Sequence, residues 1–381
     1  MRPSAFSITG DIATRRPAVT PVSVTPVSVR RVLPSLPWSG CHDVSVSRDR
    51  LAAVFARRRA RLRSRRYATA ALNPPTAPGA TVPVTTPDGA RLRVRVYGPA
   101  EGRPIVLVHG WGCCLEYWNP QINAFAEEYR LICYDQRGHG ESGLGADGPS
   151  IDQLGDDLAT VLAATLRPGE PALVVGHSMG GITVQAWAAR HRDQFDSHAA
   201  GAILANTTSG RIATGTELLP GFNVPLRILG RRVQLSARLL VSLLGLPLPI
   251  PGGPLVKWLI RWRIMSRNAT PDEVAFVLNI VRSCPPRGRA RVERMLAEFD
   301  LGPAAEHLTV PTTVIAGDRD RLLPLAMSRA LADALARVGS LVDLHILPTG
   351  HAANIEATNR FNAELAAAAR RAFDTPSATT G

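Results

Sequence analysis

Four stretches of the chain carry residue types that could do nucleophilic chemistry together. "VVGHSMGGIT" (174–183) sets Ser178 between Gly176 and Gly180, after a β-branched run and before a helical pattern that begins near Gly181. On so sharp a strand-to-helix turn a serine lifts its Oγ above the sheet, and the flanking glycines serve where strand and helix come too close for a Cβ. The helix start leaves backbone N–H groups facing any negative charge that develops there. "VLVHGWG" (106–112) ends a second strand, so the N–H of Trp111, paired with that of Met179, is the candidate oxyanion hole. "VIAGDRDRLLP" (314–324) puts Asp318 and Asp320 just past a third strand, and "HILPTGHAANIEA" (345–357) puts His351 just past a fourth. A serine, a base and a carboxylate that orients the base are the requirements of acyl transfer through a covalent intermediate. His109 precedes the nucleophile and falls within a strand's turn, which suits a structural role. Cys113 and Cys114 follow the oxyanion loop, and each lacks a base of its own.

These groups need a scaffold that brings distant loops to one edge. "ATVPVTT" and "ARLRVRVYG" flank Pro87-Asp88-Gly89 and read as a hairpin. Short apolar runs then follow at 104–110, 130–135, 172–177, 201–206, 312–317 and 342–348, separated by helical patterns. Alternating buried strands and helices predict an α/β protein with a mostly parallel sheet flanked by helices. In such sheets the carboxyl ends of the strands share one site edge, so the serine, aspartate and histidine loops converge there. The rhythm lapses over 207–300, which is proline-rich and helical with no clear strand, as expected of a cap inserted after the sixth strand. The domain reading is therefore an arm over 1–79, a core over 80–206 and 301–375, and a cap over 207–300. Within that cap "LLVSLLGLPLPIPGGPLV" (239–256) has the nominal length of a membrane span, but its prolines and glycines suit a short helix and loop roofing an apolar pocket.

Charge separates the arm from the rest. The net charge is +13, and the first 66 residues hold 14 Arg and 3 Asp, a balance of +11, which leaves the body near neutral. A near-neutral body argues against nucleic acid as the partner of the folded domain. Residues 1–47 read as disordered, and "NPPTAPG" (73–79) as a linker. Between them, 48–72 can form an Arg-rich helix, solvated or leaning on the domain, with a membrane-surface role as the alternative. The arm is expected to be dispensable, so that hydrolysis survives deletion of residues 1–72. Arginines of the cap, among them Arg231, Arg238, Arg261 and Arg263, interleave with apolar residues and could let it lean weakly on anionic lipid, although a solvated face is the plainer reading. Five cysteines without metal-ligand spacing suggest neither a disulfide framework nor a zinc site, and a cytoplasmic setting is expected.

HGWG, "YDQRGHGES" (134–142), GHSMGG, the G-x-x-D-x-x-x-P run from Gly317 to Pro324 and the final Gly350-His351 together resemble the α/β-hydrolase superfamily, in its order, over roughly residues 80–373. The resemblance implies the α/β-hydrolase fold, Ser178 as nucleophile, His351 as base and Asp320 as acid, with Asp318 as the fallback. Asp320 is preferred because it stands four residues before Pro324. It implies no cofactor and no metal. A serine at the elbow sets the chain apart from dehalogenase and epoxide-hydrolase relatives, which use aspartate there. The expected activity is cleavage of a carboxylic ester with an apolar acyl or alcohol part, on a small-molecule substrate. The alternatives keep the triad but change the bond (a carbon–carbon bond, a perhydrolase or haloperoxidase reaction, or an aminopeptidase), or make the scaffold a non-catalytic binding protein. The chain departs from the family's usual bulky residue after the final GH, having Ala352-Ala353 there.

Overall fold

The computed structural model describes residues 41–210, 226–228, 231–233 and 247–374. The chain divides into units 1–48 and 49–381. Of the first, the described part is the helical backbone that opens α1 (Cys41–Ser64). All that follows concerns the second.

Its sheet begins with the expected hairpin, β1 (Gly79–Thr85) and β2 (Arg91–Tyr97), which turns at Gly89 with φ +81°. The order that follows is β3 (Pro104–Val108), α2 (Asn119–Phe125), β4 (Arg130–Tyr134), α3 (Ile151–Thr165) and β5 (Ala172–His177). Then come α4 (Met179–Arg190), α5 (Arg192–His198) and β6 (Ala199–Ala205). The segment after β6 holds a two-stranded hairpin, β7 (Leu226–Ile228) and β8 (Arg231–Val233), followed by α6 (Pro254–Arg263), α7 (Pro271–Ser283) and α8 (Pro286–Glu298). The core resumes with β9 (Thr312–Gly317), α9 (Leu325–Arg337), β10 (Leu341–Leu347), α10 (Ala353–Glu356) and α11 (Thr358–Asp374). Eight strands pair in the order β1-β2-β4-β3-β5-β6-β9-β10. β2 runs antiparallel to both β1 and β4, and every other pair is parallel. This is the α/β-hydrolase arrangement.

The central strands are apolar on both faces because helices cover both. Ile105 and Leu107 of β3 join one buried cluster with α2 and α11, whereas Val106 and Val108 join the other with α3, α4 and α9. That is the two-residue alternation of a strand whose two faces are both packed.

Two sequence expectations change here. The segment after the sixth strand was expected to be helical without strands, and β7 and β8 interrupt it. The proposed roof over 239–256 falls partly outside the described residues; its visible end is a loop that leads into α6. The arm boundary at 79 is not a structural one. The helix expected at 48–72 covers Cys41–Ser64, and the chain reverses after it because the Asn73 side chain bonds the N–H and C=O of Tyr67. Phe55, Leu62, Tyr67 and Leu72 are buried, and the last three share a cluster with cap and core residues. Arg58 donates to the Arg282 carbonyl on α7 (3.0 Å), while Arg63 pairs with Glu116 of the core (2.8 Å). The segment 50–73 therefore straps the cap to the sheet. Burial of four large side chains holds it there together with the ion pairs of Arg59 and Arg63.

Candidate active site

The elbow is strained where the sequence said it would be. Ser178, between β5 and α4, has φ +54° and ψ −120°, a conformation costly for a residue with a Cβ and sustained only where its surroundings enforce it. Its N–H donates to the Ala205 carbonyl (2.9 Å), and its own carbonyl accepts from Thr207 Oγ1 (2.7 Å). The glycines explain themselves sterically. A Cβ on Gly176 would fall 2.6 Å from the Gly180 carbonyl oxygen, and one on Gly180 would collide with the Val108 carbonyl. Gly110 sits so close that an added Cβ would lie 3.0 Å from the Ser178 Cβ.

That approach sets the oxyanion loop beside the serine. Gly110 to Cys113 form a turn closed by Cys113 N–H on the Gly110 carbonyl (3.2 Å), which leaves the Trp111 N–H outside the turn's bonding. Met179 opens α4, where a backbone N–H has no intrahelical partner. The Trp111 indole donates to the Arg289 carbonyl on α8 (3.0 Å), so the cap grips the loop. His109 holds it from below. Nδ1–H donates to the Gly110 carbonyl (2.8 Å), and Nε2 accepts from the Gln136 N–H (3.0 Å). Burial, aided by nearby His139, lowers the His109 pKa to about 3, so the ring is neutral and structural, as its position suggested.

At the opposite side of the elbow, the structure brings Asp320 and not Asp318 to His351. Asp320 is buried, and its Oδ2 accepts from His351 Nδ1 at 2.7 Å. Its Oδ1 accepts from the N–H groups of Leu322 (2.8 Å) and Leu323 (2.9 Å). Asp318 points outward, 3.7 Å from Arg319. With Nδ1 donating to the carboxylate, the lone pair on His351 Nε2 is available as a base. His351 packs against the residue before Ser178: its ring centroid is 4.9 Å from that of His177, whose Nε2 donates to the His351 carbonyl (2.7 Å). Burial, then the nearby His351, drops the His177 pKa to about 3.

Several residues here escaped the sequence reading. Asn206, at φ +46° just past β6, donates from Nδ2 to Asp320 Oδ2 (3.0 Å) and to the Gly350 carbonyl (3.3 Å). Its only signal was its place at a strand end. Glu356 accepts from the N–H groups of Gly350 (2.9 Å) and Ser266 (2.7 Å), joining the histidine loop to the cap, and burial raises its pKa. The cap holds the same loop a second time, because His351 N–H donates to the Ile264 carbonyl at the end of α6 (2.6 Å). Within "YDQRGHGES", Asp135 accepts from the Leu115 N–H (2.7 Å), and Arg137 is buried between Asp88 and Asp157 (2.6 Å each).

Cys113 and Cys114 are buried, and burial pushes both thiols up, away from nucleophilic character. Cys114, Glu116 and Asp135 come close enough to share a cation, but Arg93 already pairs with both carboxylates (2.8 and 3.2 Å). Trp118, which follows the same loop, is fully buried in the core.

Residues 101–350 match the family described as Hydrolase_4, serine aminopeptidase S33. The chain is 28% identical over 287 residues to 3-oxoadipate enol-lactonase 2 of Acinetobacter baylyi, covering 75% of this chain and 96% of that protein. It is 27% identical over 280 residues to the bifunctional esterase/perhydrolase of Acinetobacter calcoaceticus, covering 71% and 95%. A thermophilic esterase from Thermogutta terrifontis superposes with a TM-score of 0.59 over 78% of this chain and 99% of its own, at 23% identity, a likeness of fold.

Proposed function

The chain belongs to the Hydrolase_4 family of α/β-hydrolases, and from that premise we propose that it cleaves carboxylic esters through an acyl-enzyme on Ser178. The observation that carries this reading is the Asp320–His351 hydrogen bond of 2.7 Å beside a strained serine elbow. His351 Nε2 takes the proton from Ser178 Oγ, and Oγ attacks the ester carbonyl carbon. The N–H groups of Trp111 and Met179 receive the oxyanion. Protonated His351 then gives its proton to the leaving alkoxide as the carbon–oxygen bond breaks. In the second half His351 activates water in the same way and returns the proton to Ser178, releasing the acid. Asp320 keeps one tautomer of His351 throughout and stabilises the imidazolium.

An apolar acyl or alcohol part is supported by the cap. Phe276, Ile280 and Met265 belong to the same buried cluster as Cys113 and Leu115 of the oxyanion loop. The names of the relatives, an enol-lactonase and an esterase/perhydrolase, favour an ester over other bonds.

One residue favours a second reading, an aminopeptidase. Glu293 of α8 is buried with Oε1 lacking a hydrogen-bond partner among the described residues, a feature able to receive a substrate amine. The other described cap carboxylates give less support: Asp272 accepts from the Thr69 N–H, Glu273 from the Thr270 N–H, Asp300 from the Gly302 N–H, and Glu298 is exposed.

The test is labelling by a fluorophosphonate, with Ser178→Ala as control, followed by turnover of p-nitrophenyl esters beside aminoacyl p-nitroanilides. Labelling that depends on Ser178, with esters turned over faster, is expected. A folded wild-type protein that stays unlabelled removes the enzyme reading. Preferred anilide turnover that falls with Glu293→Gln moves the assignment to the second reading.

A further inference from the structure

The cap carries an apolar surface that the ester-hydrolase reading does not use. Leu255 (68% exposed), Leu248 (60%) and Trp258 (55%) are the three most exposed large hydrophobic side chains among the described residues. All three lie within eleven positions of one another. Each of the others, such as Leu51 at 41%, is less exposed. Trp258 is no part of the buried core. Its ring stacks on Trp262 one turn later, with centroids 6.0 Å apart and planes 9° from parallel. Leu255, Trp258 and Trp262 recur at helical spacing, so they form one stripe along α6.

Along the chain, the charge around that stripe has one sign. From Pro247 to Pro271 the chain has four basic residues, Lys257, Arg261, Arg263 and Arg267, and no acidic one. Lys257, Arg261 and Arg267 are exposed. Arg321 adds a guanidinium 5.3 Å over the Trp262 ring. The next carboxylates along the chain are turned to other work: Asp272 accepts from the Thr69 N–H (3.0 Å), and Glu273 completes a capping box with Thr270. An exposed apolar stripe containing tryptophan and flanked by cations matches the interface of a bilayer, where indole rings settle at the headgroup level and cations meet lipid phosphates. It fits a second protein surface less well, since that would have to neutralise these charges with acids.

We propose that α6 and the loop before it are a membrane-docking surface, with an anionic phospholipid bilayer as its partner. Leu248, Leu255 and Trp258 enter the headgroup–acyl boundary, and Lys257, Arg261 and Arg267 contact the lipid phosphates. α6 ends one residue before Ile264, whose carbonyl holds the His351 N–H, so docking takes place on the helix that is tied to the histidine loop. The proposal does not depend on which bond the enzyme cleaves.

The test is sedimentation of the full chain with phosphatidylcholine vesicles and with vesicles that also contain phosphatidylglycerol. Wild type is expected to sediment with the anionic vesicles at low salt, and far less with neutral vesicles or at high salt. Leu255→Ser with Trp258→Ser should weaken that partition by about tenfold or more, and Lys257→Glu with Arg261→Glu should remove the preference for anionic lipid. These side chains are exposed, so unchanged thermal unfolding should accompany both changes. Absence of wild-type binding overturns the proposal. So does binding that both variants retain in full, which would assign it to the basic arm instead. Self-association in solution that Trp258→Ser disperses would make the stripe a contact between copies and would also overturn it.

Discussion

Asn206 Nδ2 donates to Asp320 Oδ2 across 3.0 Å, to the same oxygen that receives His351 Nδ1. The carboxylate is thereby fixed from two sides, while two backbone N–H groups hold its other oxygen. Asn206 reaches it only because it turns into the left-handed region at the end of β6. Its amide donates only to Asp320 and the Gly350 carbonyl among the described residues, so its effect on catalysis is expected to pass through Asp320. Removing one hydrogen bond to a charged group costs about 1.5–3 kcal/mol. Asn206→Ala is therefore expected to lower kcat on an ester by roughly 10- to 100-fold, with KM little changed. A merely structural residue would instead lower the melting temperature and leave the kcat of the folded fraction intact.

The two candidate acids can be separated by the same assay. Asp320→Asn removes the acceptor that fixes the His351 tautomer, so kcat/KM should fall by about 10⁴-fold, in line with the same change in other triads. Asp318→Asn should stay within about twofold, because its side chain faces solvent. The reverse ranking would overturn the assignment.

Acid should destabilise the fold through its buried histidines. Burial lowers the pKa of His109 and His177 to about 3 and that of His139 to about 4. An unfolded histidine titrates near 6.5, so below that pH the unfolded state binds more protons and stability falls as pH falls, down to the folded values. Each ring can contribute up to about 2 kcal/mol of loss by pH 5. Urea midpoints measured between pH 7.5 and pH 5 should drop steadily, and a His139→Gln variant that still folds should show a shallower slope. A flat profile would contradict the neutral, buried state of these rings.

The strap formed by residues 50–73 turns a sequence expectation around. Deleting 1–72 was expected to spare hydrolysis, yet it would remove Phe55, Leu62 and Tyr67 from buried positions, with Leu72 as well. A buried leucine truncated to alanine costs about 2–5 kcal/mol, against a total stability of about 5–15 kcal/mol. Leu62→Ala and Leu72→Ala should each lower the urea midpoint clearly, and the deletion should abolish cooperative unfolding. Wild-type stability in the deleted protein would show that the strap contributes nothing to the fold.

The strands and the three candidate reacting residues were legible in the sequence for a common reason. A parallel strand covered on both faces must be a short unbroken apolar run, and the groups that do chemistry must follow its carboxyl end. Ser178, Asp320 and His351 each stand just past such a run. The same logic could not separate Asp318 from Asp320 without a resemblance, since both occupy one tight turn and only the path of the backbone decides which side chain faces inward. Nor could it find Asn206, whose role depends on a single left-handed residue, or the carbonyl of Ile264 and the carboxylate of Glu356, whose partners lie on loops remote in sequence. Arginine-rich composition left residues 48–72 open between a solvated helix and one leaning on the domain. Tertiary structure decided for the second, because apolar side chains on one side of the helix meet a complementary apolar surface.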